Sequence, residues 1–145
     1  MDIVVDDADV VRFLAGVDAW RMDELAYNIG QLLESSTKER IATEKAAPDG
    51  EPWAEWSQAH AATRQPRHSL LVGEGNPGLL ESIQNYSSGP VAEVGTNLVY
   101  GAIHQFGGAG VGKPGLPARP YLGVSDADRR EIRDLIEGDL AELMR

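Results

Sequence analysis

In the stretch NLVYGAIHQFGG, residues 97–108, a tyrosine and a histidine stand four residues apart. On a helix that spacing puts Tyr100 and His104 on one face. An imidazole beside a phenol could serve as an acid–base pair. A general base also needs a group that orients it and a cleft that holds substrate, and the sequence marks neither. A packing role accounts for the same residues and is favoured: His104 hydrogen-bonds a loop carbonyl and helps seat the segment GLPARPYLG that follows, with Ile103 and Phe106 turned more toward the core.

Three other chemistries are open on residue type alone. Gly107, Gly112 and Lys113 fit the first seven positions of a phosphate-binding loop, but Pro114 stands where a magnesium-ligating Ser or Thr belongs. Proline also removes a backbone N–H and keeps its predecessor out of the helical region, so a mobile loop is the expected state. The early acidic run of Asp6, Asp7 and Asp9 could contribute oxygen ligands to a divalent cation, although nothing nearby completes the shell and a solvated cap cluster is favoured. His60, His68 and His104 lack helical ligand spacing. A metal-dependent hydrolase built from His104, His68 and the early aspartates is the alternative carried forward. No serine sits in a G-x-S-x-G elbow.

The elements that must position these residues follow from the bulk numbers. A chain of 145 residues, 42% hydrophobic, suits one globular domain over residues 1–145. With no cysteine there is no disulfide, no thiolate zinc site and no cysteine nucleophile. The acidic start is not expected to be a secretory signal, and no window approaches the ~20 apolar residues of a membrane span. The net charge of −10 disfavours sequence-specific nucleic-acid binding, though it allows an acidic wall past which nucleic acid slides.

Along the chain, residues 2–6 read as a short strand and 7–17 as a helical piece. From Asp18 a longer helix carries an apolar stripe of Met22, Leu25, Ala26, Ile29, Leu32 and Leu33, with Lys38, Glu39 and Arg40 as its solvated end. APDGEP, residues 47–52, is turn chemistry. Trp53 and Trp56 pack onto the domain from a loop or short helix, and Arg64, Arg67 and His68 form a small basic patch. Residues 82–95 read as a hairpin about SSGP, and residues 98–107 as a short helix ended by glycine. Ser125 and Asp128 resemble a capping box. Beyond them Ile132, Leu135, Ile136, Leu140, Leu143 and Met144 form an apolar stripe of almost five turns. The architecture expected is α+β: a small antiparallel sheet with a β-hairpin packed against a long N-terminal helix and a C-terminal helix.

Between hairpin and last helix, Pro117 and Pro120 stiffen an extended segment in which Arg119 is rigidly mounted and Tyr121 supplies apolar bulk. Such a low-entropy segment suits docking onto another surface. It equally suits a packed connector that positions the helix.

GTNLVYGAIHQFGG followed by a glycine-rich loop and LPARPYLGVSDAD resembles the Mu-type phage virion morphogenesis family of tail-completion proteins. The family pattern falls on Gly95, Thr96, Asn97, Tyr100, His104, Gln105, Phe106 and Gly107, then on residues 116–123 and Ser125. DGEPWAEWS and LLESI resemble upstream family segments. Gly101 departs from the usual alanine, Glu55-Trp56 from an apolar–leucine pair, and EGNPG from a Thr-Gly. The resemblance implies no enzyme and no cofactor. It implies a structural protein at the head-proximal end of the tail, acting in head–tail joining at the neck as a homo-oligomeric ring, with a hexamer expected. Its implied partners are the tail terminator and tube and the head–tail connector proteins. DNA passes without sequence-specific binding, and no membrane is involved. The implied location is the virion tail or neck, and the host cytoplasm during assembly. Tyr100, His104, Phe106, Pro117, Arg119, Pro120 and Tyr121 are the expected protein-interaction residues.

Overall fold

The computed structural model describes residues 22–73, 75 and 77–145. The strand and helical piece expected over residues 2–17, the start of the long helix at Asp18, and the early aspartates lie outside the described residues.

Helix α1, Met22–Glu39, has Asp23 and Glu24 in its first turn and Lys38 in its last, charges that suit the helix dipole. It buries Leu25, Ala26, Gly30 and Thr37. The helix does not fray at the charged run. It continues as a π-helical turn, Arg40–Glu44, ended by Lys45 in the left-handed region. Arg40 is 1% exposed, which corrects its reading as part of a solvated end. A run of charges signals solvent only when no distant partner claims one of them, and here Asp128 claims Arg40 across 88 residues.

Short helices α2 (Gln58–Thr63) and α3 (Leu79–Ser82) lead to a two-stranded antiparallel sheet. β1 (Gln84–Asn85) pairs with β2 (Val94–Gly95) in the register Gln84 to Gly95, and a Ser88–Val91 bridge closes the hairpin. α1 lies against this hairpin. Glu34 accepts from the Asn85 backbone N–H at 2.9 Å, and the Asn85 amide donates to the Tyr27 carbonyl at 3.0 Å. Gly30 makes the approach possible, since a Cβ there would lie 2.2 Å from Asn85 Oδ1 and Ser87 Oγ.

Helix α4 (Gly101–Phe106) and the long α5 (Asp126–Leu143) complete the chain. α5 opens with a full capping box: Ser125 Oγ accepts from the Asp128 N–H, and Asp128 Oδ2 accepts from the Ser125 N–H, both at 3.0 Å. α5 packs along α1. Arg40 meets Asp128, while Leu32 shares a groove with Leu135 and Asp139, so the two helices run antiparallel.

The core is built from Ile41, Trp53, Leu70, Leu79, Ile83 and Tyr121, with Trp56, Val94 and Leu122 against it. The architecture is α+β as expected. No helix among the described residues is long and apolar enough to cross a membrane.

Candidate functional site

Residues 101–106 and 116–123 lock together through backbone groups that neither helix nor sheet satisfies. An extended proline-braced segment has no ladder partner, so its amides and carbonyls must find side chains. Gln105 supplies two bonds for two consecutive residues, its Oε1 accepting from the Tyr121 and Leu122 N–H groups, each at 3.0 Å. Its amide donates to the Leu122 carbonyl at 3.3 Å. The Arg119 N–H donates to the His104 carbonyl at 2.7 Å. Trp53 Nε1 donates to the Pro120 carbonyl at 2.7 Å, and Arg40 Nη1 to the Tyr121 carbonyl at 2.6 Å.

The interaction residues expected from sequence divide into two sets. Tyr121 is 1% exposed and Arg119 8%. Tyr121 sends its hydroxyl to the Gly101 carbonyl at 2.8 Å, and burial pushes that hydroxyl up to about 12. Gly101 is the residue that allows this, because a Cβ there would lie 2.8 Å from the Tyr121 hydroxyl and 2.6 Å from Thr96 Cγ2. The Arg119 Nε donates to the Ala54 carbonyl at 2.8 Å and Nη2 to the Glu55 carbonyl at 3.1 Å. Burial lowers the Arg119 guanidinium from its ordinary value, with the Glu55 charge acting the other way. These two side chains are spent inside the protomer and offer a partner almost no surface. Pro120 and His104 are half-buried, whereas Tyr100, Pro117 and Phe106 are exposed. Phe106, expected to turn toward the core, is instead 79% exposed. At the other end of the same helix Gly101 faces inward, against Tyr121 and Thr96.

Tyr100 and His104 share a face as their spacing requires, with ring centroids 5.8 Å apart and the rings edge-on. The hydrogen bond expected from His104 to a loop carbonyl runs differently: its own backbone carbonyl accepts from Arg119. Burial, then the Arg119 charge, lowers the His104 imidazole from its ordinary value. All three histidines line one cleft of about 280 Å³ together with Trp56, Leu79 and Tyr100. Arg64 lies over the Trp56 ring at 4.4 Å. Among the described residues no three His, Asp or Glu side chains are grouped so as to hold a metal ion.

The glycine-rich loop does not form a phosphate cradle. Gly108 N–H donates to the Leu116 carbonyl and Lys113 N–H to the Gly108 carbonyl, so these amides close the loop on itself. The loop follows α4 rather than a strand, and it contains only a 3-10 turn, Ala109–Val111.

Sequence reasoning gave Gln105 no role of its own, put Arg40 in solvent and saw only the capping role of Asp128. Gln105 lay in the motif, but a glutamine reads as surface. Arg40 and Asp128 form a buried ion pair at 3.2 Å, and nothing local joins them. Burial alone would raise the Asp128 carboxyl. Hydrogen bonds with Ser36 and Ser125 and the Arg40 charge together hold it below the usual carboxylate value.

A profile of the phage virion morphogenesis family matches residues 9–141. Among curated proteins, protein G of Escherichia phage Mu, whose name provisionally assigns it to capsid assembly, is 34% identical over 118 residues, covering 76% of this chain and 74% of its own. Mu-like prophage FluMu G protein 2 of Haemophilus influenzae is 41% identical over 75 residues, 47% of this chain and 54% of its own. FluMu G protein 1 of the same organism is 27% identical over 143 residues, 97% of this chain and 84% of its own. No solved structure matches the chain.

Proposed function

This chain belongs to the phage virion morphogenesis family, and from that premise we propose that it completes the tail at its head-proximal end, joining tail to neck as a ring of identical copies. The observation that carries this reading is the outward face of α4. Val99 is 94% exposed and Phe106 79%, and Ala102 between them is exposed as well. Ala102 and Phe106, four residues apart, share one side of α4, and Val99 stands in the turn just before it. The inward side of the same helix is fastened to residues 116–122 by Gln105, Arg119 and Tyr121. A solvent-facing apolar patch on a rigid mount loses little freedom on binding, which is what a docking surface needs.

In this reading Phe106, Tyr100 and Pro117 touch the neighbour, while Arg119, Pro120, Tyr121 and His104 hold them in place. The neighbours are further copies around the ring, the tail terminator and tube below, and the head–tail connector above. The net charge of −10 lets DNA pass the ring without adhering.

The test is complementation of a phage that lacks the gene, using the double variant Val99→Asp with Phe106→Asp. Both side chains are exposed, so the melting temperature should stay within a few degrees of wild type. The expected result is filled heads and finished tails accumulating unjoined, with infectious yield down by two orders of magnitude or more. Normal yield from the double variant overturns the docking role of this face.

A further inference from the structure

We infer that two copies of the chain pair through α5, antiparallel, the apolar stripe of one helix laid along that of the other. This goes beyond the ring reading and does not depend on it. One side of α5 meets α1, where Leu32 shares a groove with Glu131, Asp134, Leu135 and Asp139. On another side lies a shallow hollow of about 430 Å³ walled by Arg129, Ile132, Arg133, Ile136 and Glu137, all of them from α5 itself. The first four stand at i, i+3, i+4 and i+7. Four residues so spaced bound the hole into which a facing helix sets one side chain. Beyond the hollow the stripe continues through Leu140, half-buried, to Met144, 73% exposed.

The charges about the hollow decide what fills it. Glu131, Asp134 and Asp139 belong to the α1 side. Asp128 is neutralised by Arg40, and Glu142 pairs with Arg145 at 3.2 Å. That leaves Asp126, Arg129, Arg130 and Arg133 in the first half of the helix and Glu137 in the second. Arg129, Arg133 and Glu137 are exposed and make no ion pair among the described residues. The face is therefore basic in its first half and acidic past its middle, on a chain whose net charge is −10. An all-acidic surface would set its charge against Glu137, and an all-basic one would face three arginines. The matching partner carries an apolar stripe with the charges in reverse order, and a second α5 turned end for end is that partner.

The register follows from the hollow. With Ile136 opposite Ile136 of the second copy, the second copy's Leu140 comes over the centre of the hollow. Arg133 then stands within ~3 Å, along the axis, of the second copy's Glu137, and the two-fold makes this ion pair twice. Laid parallel, Arg133 would face Arg133. Such a contact is isologous and closes at two copies. α4 takes no part in it. A face one helix long is at the small end of specific interfaces, so the pair depends on concentration.

The chain has no cysteine, so a single introduced one reports the contact, and one thiol per chain can give no covalent product beyond two chains. The full chain is purified as Ile136→Cys and, for comparison, as Ala127→Cys, and each is oxidised over a series of concentrations. In the antiparallel pair position 136 meets itself, whereas the two copies of position 127 lie ~27 Å apart along the axis. Ile136→Cys is expected to give a product of twice the one-chain mass and Ala127→Cys to stay single. Equal linking of both would overturn the antiparallel arrangement. Linking of neither would overturn the pair and give the face to a different occupant. Arg133→Glu and Glu137→Arg are then each added to Ile136→Cys; both positions are exposed, and unchanged circular dichroism checks that each variant folds. Either alone sets like charges opposite each other and should reduce linking tenfold or more. Mixed, one chain presents two carboxylates and the other two guanidinium groups, so linking should return as a product containing one chain of each. Linking unchanged in the separate variants, or not restored on mixing, would overturn the charge-matched pair. None of these outcomes touches the α4 face, so the ring reading stands or falls by its own test.

Discussion

Residues 101–123 and helix α5 are built on opposite plans. The first region has almost no regular structure beyond a six-residue helix, yet it holds Tyr121 and Arg119 out of solvent and fixes them with side-chain bonds from Gln105, Trp53 and Arg40. The second is eighteen residues of uninterrupted helix in which only Asp128 is buried. Its stripe of Ile132, Leu135, Ile136 and Leu140 is only half-buried, and Met144 is 73% exposed. Regularity and rigidity are therefore different properties here. The irregular segment is the stiff part, because its backbone groups are bonded to Gln105 within it and to Trp53 and Arg40 from two other places in the chain. The regular helix is pinned firmly at its first turn and lightly beyond it.

The largest effect should come from Tyr121→Ala. It removes a buried ring from the core and the bond to Gly101, a loss of about 3–5 kcal/mol. The docking reading of the sequence implies a folded monomer for this variant; the burial of Tyr121 implies instead a chain largely unfolded or far less resistant to urea. A denaturation midpoint close to wild type would mean that the stiff region is less stiff than its bonds suggest.

Next is Asp128→Asn, which leaves the Arg40 guanidinium buried without its counter-charge, at a cost of about 3 kcal/mol near neutral pH. The sign with pH follows from the depressed carboxyl. Its stabilisation is complete above the unfolded value of about 3.9 and is lost as pH falls through the lower, folded value. Denaturation at pH 7 and again near pH 3 should therefore show the gap between wild type and variant narrowing on acidification. A constant gap would assign the loss to packing rather than charge. Amide exchange should rise along α5 in this variant and stay low at residues 119–122.

The smallest effect is expected from Ile136→Ala. A half-covered side chain leaves little cavity, so urea denaturation should register about 1 kcal/mol or less. A loss of 3 kcal/mol would show that α5 is held along its whole length and erase the contrast.

What was legible in the sequence was what is local. The capping box at Ser125 and Asp128 declares itself within four residues, and the α4 helix declares itself by its terminal glycine. The hairpin was legible by its turn, although its strands are only two residues each and pair only as Gln84 with Gly95 and Asn85 with Val94. The pairing of Arg40 with Asp128 was not legible, because a guanidinium in a charged run looks the same whether water or a carboxylate 88 residues away receives it. Nor was the division within the motif. Alternate residues of an extended segment face opposite ways. Spacing alone shows that Arg119 and Pro120 point apart, but not which direction is inward.

The loop after α4 is closed at its neck by the Gly108 and Leu116 backbones and tied across by Lys113. A side chain added at Gly110 would meet nothing within 4 Å. Everything between the neck bonds can thus change in length without reaching the residues that hold the fold. Gly110 is accordingly the natural insertion point for an epitope tag or a fluorophore, placed beside Phe106 and able to report when that face becomes covered.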